Sequence, residues 1–78
     1  MVRTGGPVRA ETAGAGPVIR ARRTALGITQ QQLAVAIDVS RQTVIAMETG
    51  DYAPSVFLAL RTARALNASV EDLWGASV

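Results

Sequence analysis

Arg41 and Gln42 stand side by side directly after Ser40, and Ile45 and Ala46 follow one helical turn later. In a helix capped by Ser40, these four residues share its leading outward side. A guanidinium can bond guanine O6 and N7 together, a carboxamide can bond adenine N6 and N7, and Ile or Ala can pack on a thymine methyl. The set suits the reading of base edges in double-stranded DNA. Other chemistry has little material. The 78 residues include no His and no Cys, which removes the commonest general base, the commonest metal ligand, and any thiolate or disulfide. Asp38, Asp51, Glu71 and Asp72 each have a cap, turn or helix-dipole role, so no convergent carboxylate set points to catalysis. We expect no enzyme, no catalytic residue, no metal, no cofactor and no small-molecule ligand.

Charge alone decides little. Eight basic against six acidic residues give a net +2, and every cation is Arg. Arg is the better residue for forked contacts to phosphate and guanine, but +2 is too weak to establish a nucleic-acid partner. No apolar run reaches the length of a membrane span, and the N-terminus lacks the hydrophobic stretch of a signal peptide. A soluble cytoplasmic protein, nucleoid-associated when bound to DNA, is expected.

The elements that must hold Arg41 and Gln42 are five helices separated by stop signals. Residues 1–16, with four of the seven Gly and no apolar periodicity, read as a flexible tail, and 17–78 as one all-α domain. Pro17 suits a first helical position, Ile19, Arg23 and Leu26 fall on one face, and Gly27 ends that helix. Thr29 and Gln32 form a capping box for the second helix, whose inner face is Leu33, Ala34 and Ile37. Asp38 is expected in a left-handed conformation, Val39 plugs the corner and Ser40 caps the third helix, with Val44 and Met47 inward and Gly50 closing it. Ser55 caps the fourth helix, which buries Leu58, Ala59, Thr62, Ala63 and Leu66; Ser69 caps the last. Two helices joined by so short a turn, about residues 29–49, make a helix-turn-helix, in which the second places its leading side chains in the major groove. Gln30 and Gln31 open the preceding helix, where free backbone N–H groups favour a phosphate oxygen.

The segment Val18–Trp74 resembles the lambda-repressor-like (XRE-family) helix-turn-helix domains of small transcriptional regulators. The matching residues are Arg23, "LGITQ" (26–30), "LA" (33–34), "VSRQTV" (39–44), "ETG" (48–50), "PS" (54–55) and "SVEDLW" (69–74). The resemblance implies a compact five-helix DNA-binding domain acting as a homodimer on a palindromic operator. Carried over by position, it implies base reading by Arg41, Gln42, Ile45 and Ala46. It also implies phosphate contacts from Thr29, Gln30, Thr43, Thr49 and Tyr52, and a structural ion pair between Arg23 and Glu48. The residues agree on the pair, because Arg23 falls on an inward face where an unpaired charge is costly.

Several positions depart from the family pattern. Arg22 stands where Leu is common and Thr62 where Ile is common, so both should thin the core; Asp38 and Asn67 replace Gly but accept left-handed geometry. Val35, Ile45 and Phe57 are apolar where the family is usually polar, and a base contact accounts for Ile45. Phe57, Leu60, Leu73 and Trp74 are the expected dimer interface, holding two reading helices about 34 Å apart. The functional expectation is a sequence-specific regulator, most simply a repressor. Its alternative is an antitoxin-type or partner-binding module whose helix-turn-helix autoregulates its own operon.

Overall fold

A computed structural model describes residues 14–75. They form five α-helices: α1 Ala15–Ala25, α2 Gln30–Ile37, α3 Arg41–Thr49, α4 Val56–Ala65 and α5 Val70–Trp74. No strand occurs among the described residues, and no helix there is long and apolar enough to cross a membrane. Residues 1–13 of the expected tail, Arg3 and Arg9 included, lie outside the described residues.

Three corners are built to one plan. Each begins with a residue in left-handed conformation: Gly27 at φ 74°, Asp38 at φ 61° and Asn67 at φ 56°. At each, paired backbone bonds close the preceding helix, such as Val39 N–H to the Ala34 carbonyl at 3.0 Å and Ala68 N–H to the Ala63 carbonyl at 2.9 Å. The next residue (Ile28, Val39 or Ala68) is partly buried against the core. The third (Thr29, Ser40 or Ser69) caps the helix that follows by accepting a backbone N–H. Each corner thus changes direction in three residues while satisfying backbone groups on both sides. Gly50, at φ 82°, ends α3 in the same way before the longer loop to Ser55.

Reciprocal bonds complete two of the caps, from Thr29 N–H to Gln32 Oε1 at 2.8 Å and, at the α5 corner, from Ser69 N–H to Asp72 Oδ2 at 3.0 Å. The Ser69 bond, with the Ser69 hydroxyl and nearby Arg22, holds the Asp72 carboxyl below the usual carboxylate range.

The core is apolar and small. Ile19 from α1, Leu33, Ala34 and Ile37 from α2, Val44 and Met47 from α3, Leu58, Ala63 and Leu66 from the α4 segment and Leu73 from α5 are buried together. Each large aliphatic side chain removed from water contributes about 1.5–3 kcal/mol. Leu26 does not join them. It is 47% exposed, because the chain leaves helical geometry at Gly27 and turns the expected face outward. The two anomalous residues find partners. Thr62 is fully buried, with its hydroxyl donating to the Leu58 carbonyl at 2.8 Å. Arg22 stays half-exposed and reaches Asp72 of α5 at 3.7 Å.

α1 begins at Ala15, two residues before Pro17, with Ala15 and Gly16 buried against α3. Pro17 costs nothing within the first turn, where N–H groups have no helical partner. Gly16 is there because the backbones touch: a Cβ would lie 2.8 Å from the Glu48 carbonyl carbon and collide with its oxygen. Gly16→Ala should therefore cost about 2 kcal/mol or more in urea unfolding, as overpacking against backbone does. Gly27→Ala has open space and should cost only its left-handed strain, about 1 kcal/mol. An equal loss for both would contradict the close approach.

Candidate nucleic-acid interface

α3 carries the expected reading residues, and its placement decides what they can reach. Ser40 Oγ accepts the Thr43 N–H at 3.2 Å, so the helix starts abruptly after the corner. Arg41 and Gln42, immediately after the cap, are exposed; Ile45 and Ala46 on the next turn are half-buried. Val44 and Met47, on the opposite side, are buried. α3 therefore lies with one flank in the core and its first turn projecting, the arrangement a groove-entering helix needs.

Its other end is held by charge. Arg23 Nε donates to Glu48 Oε2 at 2.6 Å and Arg23 Nη2 to Glu48 Oε1 at 3.3 Å. Arg23 Nη1 donates to the Ile28 carbonyl at 2.9 Å. The Glu48 side chain is 4% exposed and that of Arg23 12%. The fork thus ties α1, the first corner and α3 together in a nearly dry site, where planar guanidinium geometry suits a carboxylate.

The expected phosphate-contacting residues do not form one set. Thr29 is exposed and its hydroxyl accepts the capping N–H, which leaves its own O–H to donate. Thr43 is half-buried and shares a hydrogen bond with the Ser40 hydroxyl at 3.1 Å. Tyr52 is exposed on the loop after α3. Thr49 is different: its hydroxyl is directed at the Ala46 carbonyl (3.2 Å) and at Asp51 Oδ2 (3.0 Å), so its single proton is engaged inside the chain. Gln30 has a contact within the chain as well: its Nε2 donates to Glu48 Oε1 at 3.1 Å.

The structure adds Arg20, which the sequence reading left unassigned. It lies one helical turn before Arg23, and with Thr29, Gln30, Gln31 and Arg41 it lines an open groove of about 750 Å³ where α1 meets α2. Two exposed guanidiniums, Arg20 and Arg41, thus border the start of α2. The spacing from Arg23 places Arg20 near that helix face, but only the turn from α1 into α2 shows what it borders.

Of the residues expected at a subunit contact, Phe57 (73% exposed) and Leu60 are on the surface of α4, three residues apart. Leu73 is 1% exposed and belongs to the core: a five-residue helix has one inward position, and Leu73 fills it. Trp74 is half-buried and lines a small apolar groove of about 180 Å³ with Pro54, Val56, Ala59 and Val70.

Comparison with known proteins agrees with this architecture. The helix-turn-helix family model matches residues 19–73. An uncharacterized HTH-type transcriptional regulator of Methanothermobacter thermautotrophicus is 50% identical over 58 residues, which is 73% of this chain and 84% of that protein. The uncharacterized HTH-type transcriptional regulator YgzD of Bacillus subtilis is 39% identical over 56 residues, 72% of this chain and 85% of that one. Among solved structures, the restriction-modification controller protein C.AhdI of Aeromonas hydrophila superposes with a TM-score of 0.76 at 31% identity, covering 82% of this chain and 97% of that one. The clp gene regulator ClgR of Corynebacterium glutamicum gives 0.78 at 30% identity, covering 86% and 71%.

Removing one member of the fork strands the other in a poorly solvated site. Glu48→Ala is expected to destabilise the fold by about 3 kcal/mol, whereas an apolar pair at 23 and 48 of similar volume should cost less than either single change. Urea unfolding of the three variants measures this; a loss below about 1 kcal/mol for Glu48→Ala would mean that water reaches the pair freely.

Proposed function

Because the chain belongs to the lambda-repressor-like (XRE-type) family of helix-turn-helix transcriptional regulators, we propose that it represses transcription as a homodimer occupying a palindromic operator. The observation that carries this reading is the projecting first turn of α3, with Arg41 and Gln42 exposed beside a groove bordered by Arg20 and the start of α2. In the proposed complex Arg41 and Gln42 bond base edges, and Ile45 and Ala46 make apolar or shape contacts. Arg20, Thr29, Gln30, Thr43 and Tyr52 face the phosphates. Thr49 is left out of that set, since its donor is already used. Repression by occupancy asks nothing of the chain beyond binding, and it goes with a cytoplasmic location, on the nucleoid when DNA is bound.

Two copies meet, in this reading, through α4 and α5. Phe57 and Leu60 supply protruding apolar surface, and the groove beside Trp74 supplies a recess, so one face carries both halves of a self-complementary contact. Such a pairing sets the separation of the two reading helices and hence the half-site spacing.

Selection of bound sites from a random duplex pool tests the reading directly, and two half-sites about 10 base pairs apart, centre to centre, are expected. Recovery of no enriched sequence would refute it. Arg41→Ala should cost about 1–3 kcal/mol on the selected site and relax preference at particular base pairs. Uniform weakening on all sequences would remove Arg41 as a base reader. Phe57→Lys should leave the fold intact, abolish the dimer in sedimentation and reduce operator binding at least tenfold.

A further inference from the structure

We propose that a second copy of this chain docks with its α4 antiparallel to the first, so that the Arg64 guanidinium of each copy covers the Phe57 ring of the other. The inference rests on the dimer reading above and deepens it by naming the contact that orients the two copies. Phe57 and Arg64 are seven residues apart, so they fall about 20° from each other around the α4 axis and about 10.5 Å apart along it. Both are exposed, on the side away from the buried Leu58, Thr62 and Leu66. Within one chain no bond or ring contact joins them, and the Arg64 guanidinium has no hydrogen-bond or ion-pair partner among the described residues.

Two like helices related by a two-fold axis run either parallel or antiparallel. In the parallel case the stripe of Phe57, Leu60 and Arg64 faces itself position by position. Arg64 then meets Arg64, and α4 carries no acid to separate them. In the antiparallel case, with the axis crossing between Leu60 and Arg61, residues equally far from that point come level. Phe57 then lies opposite Arg64, twice over by symmetry, and Leu60 packs on its own counterpart beside the axis. A planar guanidinium is drawn to the negative face of an aromatic ring, more strongly as water is excluded. The other cation near the axis is held back. Arg61 Nε donates to the Ile37 carbonyl at 3.1 Å, against its own α2, which leaves the middle of the contact to Leu60. An aromatic ring at a fully outward position and an unpaired Arg two turns later thus find one use together.

The test uses the whole chain, followed by sedimentation equilibrium over a range of concentrations. R64M keeps an unbranched apolar side chain and loses the charge; it should weaken the dimer about tenfold, because both symmetric contacts go at once. F57R sets cation against cation and should weaken it at least as much. Since the contact is reciprocal, F57R/R64F rebuilds it with the two side chains exchanged and should return the dimer to within about threefold of wild type. Both positions are exposed, so all three variants should melt as the wild type does. In NMR spectra of the wild-type dimer, the Arg64 side-chain protons should lie upfield under the Phe57 ring current, and dilution to the monomer or F57L should remove that shift. Arg64 protons without the shift in the dimer, a dimer unweakened by R64M, or one that F57R/R64F fails to restore would each overturn the proposal and leave the dimer reading standing. A wild-type chain that stays monomeric at every concentration, with and without the selected duplex, would end the dimer reading and this contact with it.

Discussion

A buried carboxylate fixes the geometry of this small protein. Glu48 sits at the C-terminal end of α3 with almost no access to water, a position that costs several kcal/mol unless its oxygens are occupied. Arg23 supplies two donors, Gln30 a third, and Arg23 passes a further bond to the Ile28 carbonyl at the first corner. These directional contacts do what a core of eleven mostly aliphatic residues cannot do alone. Apolar packing is tolerant of small rotations; a forked ion pair is not. The angle at which α3 leaves the globule is thus set by charge, and the depth at which it lies by Val44 and Met47.

The same site explains the start of the domain. Gly16 lets α1 run its backbone against that of α3 at Glu48, so the ion pair and the helix crossing are stacked on one another. Shortening the distance between two helix axes brings Arg23 within reach of the carboxylate. Helices α4 and α5 follow looser rules. There the surface keeps exposed apolar side chains, and the buried hydroxyl of Thr62 is satisfied within its own helix.

Local chemistry was legible in the residues, whereas long-range chemistry was not, except for the Arg23–Glu48 pair, which the family resemblance and the inward place of Arg23 both indicated. Caps and corners depend on neighbours three to five positions apart, so Thr29 with Gln32, and Asp38 with Val39 and Ser40, could be read directly. Inward faces followed from helical spacing, and the exception, Leu26, arose by extending that spacing past the residue where the helix stops. Ala15 and Gly16 were assigned to the tail because Gly reads as a helix breaker; contact with α3 overrides that preference. The bond from Gln30 to Glu48 spans eighteen positions and leaves no periodic trace. Nor does the engagement of the Thr49 hydroxyl, whose residue type is equally at home facing a solvent or a phosphate. Leu73 and Trp74 were grouped by their apolar character, although adjacent helical residues point about 100° apart.

The three-residue corners join α1 to α2, α2 to α3 and α4 to α5 with little slack. Helices so jointed leave little play between the helix that lies in a groove and the two that precede it. Imperfect fit must then be taken up elsewhere, by curvature and groove width in the double helix. Sequences far from any side chain, chosen by how readily they bend, would in that way enter the choice of binding site.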